Sequence, residues 1–124
     1  MTASGHEKRR HKRSEASFNL VYSIQEPLEA RLKLGEGEKD AIACDLSEGG
    51  VAITASWPVP VGARLSIRFR VLNSRAELEQ DRSRTFKLRA EIRYMLMMPD
   101  RSFRLGLRFL DASDDDRRFI SRCI

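Results

Sequence analysis

The chain has 124 residues, of which 41% are hydrophobic and 33% are charged, and its formal net charge is +5. This length predicts one domain with a real core, and the composition excludes a disordered chain or an integral membrane protein. No apolar run approaches the roughly 20 residues that a membrane-spanning helix needs, so we expect no membrane insertion. The polar, basic N-terminus has no apolar segment after it, which argues against a secretory signal and favours a cytoplasmic protein.

The positive charge is concentrated at the N-terminus. Residues 1–13 contain five lysine or arginine residues and one glutamate, so the remainder of the chain is nearly neutral. Residues 1–7 are small and polar, and we predict that they are disordered. Residues 8–14 carry the basic run and are predicted to form a flexible arm. A basic arm on a nearly neutral body favours a clamp for a small anion or a partner.

Alternating apolar residues predict β-strands along most of the remaining chain. Residues 28–34 alternate cleanly, and a glycine-containing turn leads from them into residues 41–44, so we predict a hairpin there. Prolines make residues 57–62 irregular. The seven strand-like segments are residues 18–24, 28–34, 41–44, 51–55, 65–71, 86–94 and 103–109.

A single helix is predicted after these segments, over residues 113–124. Ser113 has the character of an N-cap, three aspartates follow it, and Phe119 and Ile120 lie on an apolar face that we expect to cover a barrel mouth. Since helices do not alternate with strands, the fold class is all-β, with a closed or nearly closed antiparallel barrel over residues 16–111.

The sequence predicts no catalytic centre, no metal site and no cofactor. Cys44 and Cys123 are far apart without metal-ligand spacing, so they are interpreted as buried small hydrophobes. His6 and His11 lie in or beside the arm, where no second acid is placed to make either a proton-transfer group. We therefore predict that the protein is not an enzyme.

Two short motifs indicate a binding function. The first has the pattern R-R-x-x-R, and the second has the pattern D-x-S-x-x-G in a turn between two apolar runs, where adjacent glycines can take positive φ and let the backbone approach a ligand. The residues of the two motifs are Arg9, Arg10, Arg13, Asp45, Ser47, Gly49 and Gly50.

This pair of motifs resembles the PilZ domain, and residues 103–110 with the acidic helix start resemble the family's last strand and closing helix. The resemblance covers roughly residue 8 to the C-terminus. It implies a six-stranded barrel, in which we assign residues 18–24 as the extra, seventh segment, and it implies binding of cyclic di-GMP, a bacterial messenger, by the seven motif residues. Such a sensor domain signals to a downstream protein when its arm and surface change on ligand binding.

Two other functions remain open at this point. One is a small β-barrel that binds nucleic acid through the arm and the arginines within residues 64–70 and 87–93, although most aromatic residues sit at core positions and few are left for base stacking. We expect no specific nucleic acid partner for that reason. The other is a degenerate PilZ-like adaptor that binds protein only, which the two intact motifs argue against.

Overall fold

The computed structural model describes residues 13–73 and 76–124. Within them the chain forms six strands, two α-helices and a short 3-10 turn. In chain order these are β1 (Arg13–Glu26), α1 (Leu28–Leu34), β2 (Lys39–Ser47), β3 (Gly50–Ala55), β4 (Arg64–Leu72), the 3-10 turn (Glu79–Asp81), β5 (Ser83–Met97), β6 (Phe103–Phe109) and α2 (Asp114–Cys123).

The six strands close into one antiparallel barrel in the order β1-β2-β3-β6-β5-β4. Strand β1 makes the closure because it pairs with β2 between Arg13 and Tyr22 and with β4 between Leu20 and Glu26. The predicted all-β, six-stranded barrel with a short C-terminal helix is confirmed.

The core fills the barrel interior, and helix α2 packs at one of its mouths. Alternate residues of β4 and β5 point inward, as a strand's two-residue period requires. At one mouth, the rings of Phe86 and Phe119 lie 6.0 Å apart, so α2 packs there as its apolar face predicted. The irregular loop between β3 and β4 adds Val59 and Ala63 to the core, with side chains 0% and 1% exposed.

The segment at residues 28–34 is a helix, so the predicted strand and its hairpin with residues 41–44 are wrong. β2 pairs instead with β1, and the predicted seventh segment at residues 18–24 is part of that regular barrel strand. Leucine, alanine, glutamate, lysine and arginine are all strong helix formers, and α1 contains no β-branched residue. Leu28 and Leu32 are 59% and 69% exposed, so the alternating leucines do not form a buried strand face.

The barrel begins earlier than predicted. Arg13 and Ser14, assigned to the arm, have backbones that pair with Ser47 and Leu46 in β1 and β2, three residues before the predicted barrel start at residue 16. The rest of the predicted arm, residues 8–12, and residues 1–7 lie outside the described residues.

Helix α2 has the N-terminus that the sequence predicts. The Ser113 hydroxyl accepts a hydrogen bond from the Asp116 N–H, and the Asp116 carboxylate accepts one from the Ser113 N–H, both at 3.0 Å.

Cys44 and Cys123 are free thiols that are only partly buried, so the prediction that both cysteines are buried is wrong in degree. Neither helix in the described ranges is long and apolar enough to cross a membrane.

Candidate ligand-binding site

Two rows of residues cross the outer face of β2, β3, β6 and β5, and strand register sets both. The first, which we call the Asp45 row, runs through Asp45, Ala52, Gly106 and Tyr94. Neighbouring strands lie about 4.8 Å apart, so the row spans roughly 14 Å. Its two central residues, Ala52 and Gly106, are small and line a cavity on this face.

The second row, which we call the Ser47 row, runs parallel to the first through Ser47, Gly50, Arg108 and Glu91. On the β1 side it is extended by the backbone of Arg13, which is paired directly with Ser47. The register therefore brings the last arginine of one motif beside the serine of the other.

The hydroxyl of Ser47 holds the turn between β2 and β3. It accepts a hydrogen bond from the Gly49 N–H at 3.3 Å and donates one to the Gly50 carbonyl at 3.4 Å. The Gly49 carbonyl in turn accepts a hydrogen bond from the Phe109 N–H at 2.9 Å, which ties the turn to the end of β6. Because Ser47 is only 8% exposed, its hydroxyl supports the turn as well as bordering the site.

Gly50 is required by crowding and not by a positive φ. The positive φ angles in the described chain belong to Gly35, Gly37, Gly62 and Arg101. A Cβ on Gly50 would lie 2.0 Å from the Leu107 carbonyl oxygen, so any side chain would push β3 away from β6. The sequence argument that this glycine allows close backbone approach is right, but the close neighbour is the adjacent strand.

Tyr94 lies over Gly106, where a Cβ would be 2.0 Å from its ring. Its hydroxyl accepts a hydrogen bond from Arg104 Nε at 3.3 Å, and Arg104 Nη2 lies 3.8 Å from the Asp45 carboxylate. The hydrogen bond with Tyr94 raises the pKa of the Arg104 guanidinium above its ordinary value, and the nearby charge of Asp45 adds to the same effect. Arg104 thus links the two ends of the Asp45 row.

The alternation over residues 86–94 puts Tyr94 in phase with the inward-pointing Ile92 and so predicts a core position, but Tyr94 lies on the outer face. The register between β5 and β6 shifts between Ile92 and Tyr94, so Arg93 is the extra residue of a β-bulge. A bulge turns the residues beside it to a new direction, and both Arg93 and Tyr94 line the outer cavity. A similar shift between Ala43 and Asp45 turns Asp45 outward and Leu46 inward.

Three arginines complete the wall of the site. Arg93 of β5, Arg108 of β6 and Arg117 of α2 all line the cavity. Glu91 Oε1 lies 3.1 Å from Arg108 Nη2 and 3.4 Å from Arg93 Nη1. The hydrogen bond from Arg108 lowers the pKa of the Glu91 carboxyl below its ordinary value, and Arg93 contributes in the same direction.

These residues surround one cavity of about 460 Å³. The volume is within the range of small-molecule sites in proteins. Its lining contains one carboxylate, from Asp45, and three guanidinium groups, so the cavity is positively charged and suits an anionic ligand. Within the described ranges, no three histidine, cysteine or carboxylate side chains come together to hold a metal ion.

The structure brings four of the seven predicted site residues together, since Asp45, Ser47, Gly49 and Gly50 all line this cavity. The backbone of Arg13 lies next to it, while Arg9 and Arg10 fall outside the described residues. The sequence argument missed Arg108 and Arg117 entirely. In the sequence, Arg108 has an outward position on the last strand and Arg117 lies near the start of the last helix. Exposed arginines at such positions are usually only solvated, and their place beside the cavity follows from the strand register.

Comparison with protein families gives a match to the model described as the PilZ domain, over residues 7–124. A search of curated proteins gave no match.

Solved structures share the fold at low sequence identity. The Bacillus subtilis inhibitor of motility, MotI/DgrA, superimposes with a TM-score of 0.69 at 17% identity, covering 93% of this chain and 48% of that one. The PilZ domain of Escherichia coli YcgR with cyclic di-GMP superimposes with a TM-score of 0.60 at 18% identity, covering 93% of this chain and 87% of that one. The K. pneumonia MrkH–cyclic di-GMP complex superimposes with a TM-score of 0.59 at 12% identity, covering 93% of this chain and 49% of that one. This chain spans about half the length of the MotI/DgrA and MrkH chains.

Proposed function

Since this chain belongs to the PilZ domain family, we propose that it is a receptor domain that binds cyclic di-GMP and passes the signal to a partner protein. The observation that carries the proposal is the strand register, which sets Arg13 beside Ser47 at the edge of a positively charged cavity lined by the second motif. The proposed ligand residues are Arg9, Arg10, Arg13, Asp45, Ser47, Gly49 and Gly50.

The chemistry of these residues suits a guanine dinucleotide. A guanidinium group presents a rigid fork of donors that can bond guanine O6 and N7 or phosphate oxygens, and its plane can stack on a purine. The carboxylate of Asp45 only accepts hydrogen bonds, which suits the N1–H and N2–H₂ donors of guanine. The small residue Ala52 is the cross-strand neighbour of Asp45 and lines the cavity beside it.

Two of the structures that share this fold support the choice of ligand. The YcgR PilZ domain and MrkH were each solved with cyclic di-GMP. Their sequence identity to this chain is low, so they support the fold directly, and the choice of ligand for this chain rests on its own two motifs.

We further propose that residues 8–12 close over the ligand as an arm. They carry Arg9 and Arg10 and continue directly into β1, whose first residue lies beside the cavity. Neutralisation by phosphate and stacking on guanine would hold the arm against the barrel. The changed position of the arm and the covered cavity would then be the surface that a downstream protein recognises.

The alternative of a nucleic-acid-binding barrel receives less support from the outer arginines. Arg68 pairs with Glu38 at 2.8 Å, and Arg89 pairs with Asp111 at 3.5 Å. Arg93 shares Glu91 with Arg108. These acidic partners offset part of the positive charge that an extended nucleic acid strand would contact on the two segments.

Calorimetric titration with cyclic di-GMP and with cyclic di-AMP tests the proposal. We expect clear binding of cyclic di-GMP and much weaker binding of cyclic di-AMP, since adenine inverts the donor and acceptor at position 6. Equal affinity for the two would contradict guanine recognition. Salt-resistant, tight binding of a single-stranded oligonucleotide would favour the nucleic acid alternative.

The substitution Asp45→Ala tests the second motif directly. Removal of a charged acceptor should weaken cyclic di-GMP binding by about 1.5–3 kcal/mol in calorimetry while the barrel stays folded. Asp40→Ala is the matched control, because Asp40 is an exposed aspartate on the same strand outside the cavity lining. If Asp45→Ala lost its cooperative thermal melt, the turn would be structural and its role in binding unsupported.

A further inference from the structure

The side of the cavity opposite Asp45 contains an arginine pair that neither motif includes. Arg108 has Gly50 of the turn as its cross-strand neighbour on one side and Glu91 on the other. Arg93 is the bulged residue of β5, and its side chain turns toward the same carboxylate. A single oxygen of Glu91 therefore holds both guanidinium groups at the cavity wall, at 3.1 Å and 3.4 Å.

The arginine pair keeps unused binding capacity. Each guanidinium has five N–H donors, and the contact with Glu91 uses one nitrogen of each. The Arg93 and Arg108 side chains remain 59% and 52% exposed, so their other donors are accessible from the cavity. Two positive charges and one negative charge leave a local charge of +1, which a phosphodiester with its single negative charge would neutralise.

We propose that Arg93 and Arg108 form a phosphodiester subsite, across the cavity from Asp45. The inference rests on the proposed function, because it assigns a place to one half of the same ligand. A cyclic dinucleotide carries two phosphodiesters in one ring. Arg93 and Arg108 stand on β5 and β6, whereas Asp45 and Ser47 stand on β2. One of the two phosphodiesters binds this pair.

The orientation of the pair favours phosphate over a guanine edge. Both guanidinium groups point at one carboxylate oxygen, so they already converge on a single anionic acceptor. A phosphate oxygen has the same charge and a similar demand for convergent donors. A guanine edge is neutral and needs only one guanidinium fork, so it would leave the second arginine without a role.

The first test is calorimetry with cyclic di-GMP on Arg93→Ala, Arg108→Ala and Arg108→Lys. Each alanine variant should lose about tenfold or more in affinity, and the loss should become smaller as salt is raised, because ions screen the attraction between the guanidinium and the phosphate. Arg108→Lys should recover part of the affinity, because lysine keeps the charge and loses the fork. The matched control is Arg68→Ala, which removes an exposed arginine that is also paired with a glutamate but lies outside the cavity lining.

The second test is ³¹P NMR of bound cyclic di-GMP. The two phosphorus atoms are equivalent in the free ligand and should give two resonances when bound. The double variant Arg93→Ala/Arg108→Ala should displace one of them and leave the other in place. If affinity falls but neither resonance moves, the arginines contact the bases and the phosphodiester subsite is wrong.

Failure of this inference is distinguishable from failure of the proposed function. If the wild-type protein binds cyclic di-GMP, Asp45→Ala weakens binding, and the Arg93 and Arg108 variants bind like the wild type, only the subsite is overturned. If the wild-type protein does not bind the ligand at all, both proposals fail together. Thermal melts of each variant show that a lost affinity does not come from a lost fold.

Discussion

Gly50 and Gly106 are both needed for space, but different neighbours occupy that space. A Cβ on Gly50 would meet the backbone carbonyl of Leu107, which cannot rotate away, whereas a Cβ on Gly106 would meet the ring of Tyr94, which can. Overpacking of this kind is less costly when the neighbour can change its rotamer. The two glycines of the site should therefore respond differently to the same added methyl group.

We expect Gly106→Ala to lower the free energy of unfolding by about 1–3 kcal/mol and Gly50→Ala to lower it by more. The decisive measurement is urea unfolding of both substitutions with and without Tyr94→Ala. Removal of the ring should rescue Gly106→Ala, so that the double variant is nearly as stable as Tyr94→Ala alone. The same ring removal should not rescue Gly50→Ala, and a rescue of both would show that β3 and β6 have moved together.

The residues of the site differ in how far the sequence could predict them. Asp45, Ser47, Gly49 and Gly50 were predicted because their short polar turn, taken together with the arginine run, resembles the motif pair of a known family. Tyr94 was not, because a one-residue bulge reverses the inward and outward phase of a strand and leaves no mark in the alternation. The roles of Arg104 and Arg108 depend on which strands are neighbours, and that information is not local.

Two contacts fix helix α2 to the barrel, and a capping box stabilises its N-terminus. Ser113 and Asp116 cap its N-terminus, and Phe119 packs against Phe86 in the core. The Asp116 carboxylate also accepts a hydrogen bond from Arg84 of β5 at 2.8 Å. Because Arg117 follows Asp116 directly and lines the cavity, the position of this helix affects the site as well as the core.

We expect Phe119→Ala to destabilise the fold by about 3–5 kcal/mol, as a buried aromatic residue does when truncated. Ser113→Ala should cost about 1 kcal/mol, since it removes one half of the capping box. The control is Ser121→Ala, an exposed serine on the same helix, which should change stability by less than about 0.5 kcal/mol. Urea unfolding measures all three, and equal effects of the two serine substitutions would contradict the assigned cap.

The error at α1 shows the limit of alternation as an element-scale signal. Residues 28–34 have leucine or alanine at every second position, but two of the leucines are four residues apart and every residue is a good helix former. In a segment of seven residues, a two-residue and a helical period cannot be separated with confidence from apolar positions alone. The strands β4 and β5 were predicted correctly, because they are longer and are rich in β-branched and aromatic residues. In a longer segment, a two-residue period can be told from a helical one.

At the scale of the whole molecule, the described core is formed by residues of β1 and of the elements that follow it. Deletion of residues 1–12 should therefore leave a cooperative thermal melt, because all six strands and α2 remain. It removes Arg9 and Arg10, so cyclic di-GMP binding should be lost in calorimetry. A truncated protein that bound normally would remove these two arginines from the proposed site.

The arm also makes a prediction for the intact protein. Amide hydrogens of residues 8–12 should exchange rapidly without ligand and slowly with saturating cyclic di-GMP, since phosphate contacts and stacking are what would hold them. Exchange mass spectrometry with and without ligand measures this difference. Strong protection in the absence of ligand would contradict closure of the arm while leaving the binding residues unchanged.

Strand β1 pairs with different strands along its length. Its pairing with β2 covers Arg13 to Tyr22 and its pairing with β4 covers Leu20 to Glu26, so only Leu20, Val21 and Tyr22 have strand partners on both sides. The part of β1 before Leu20 is paired with β2 alone. A displacement of Arg13 from Ser47 would therefore have to break pairs with β2, but it would leave every pair between β1 and β4 in place.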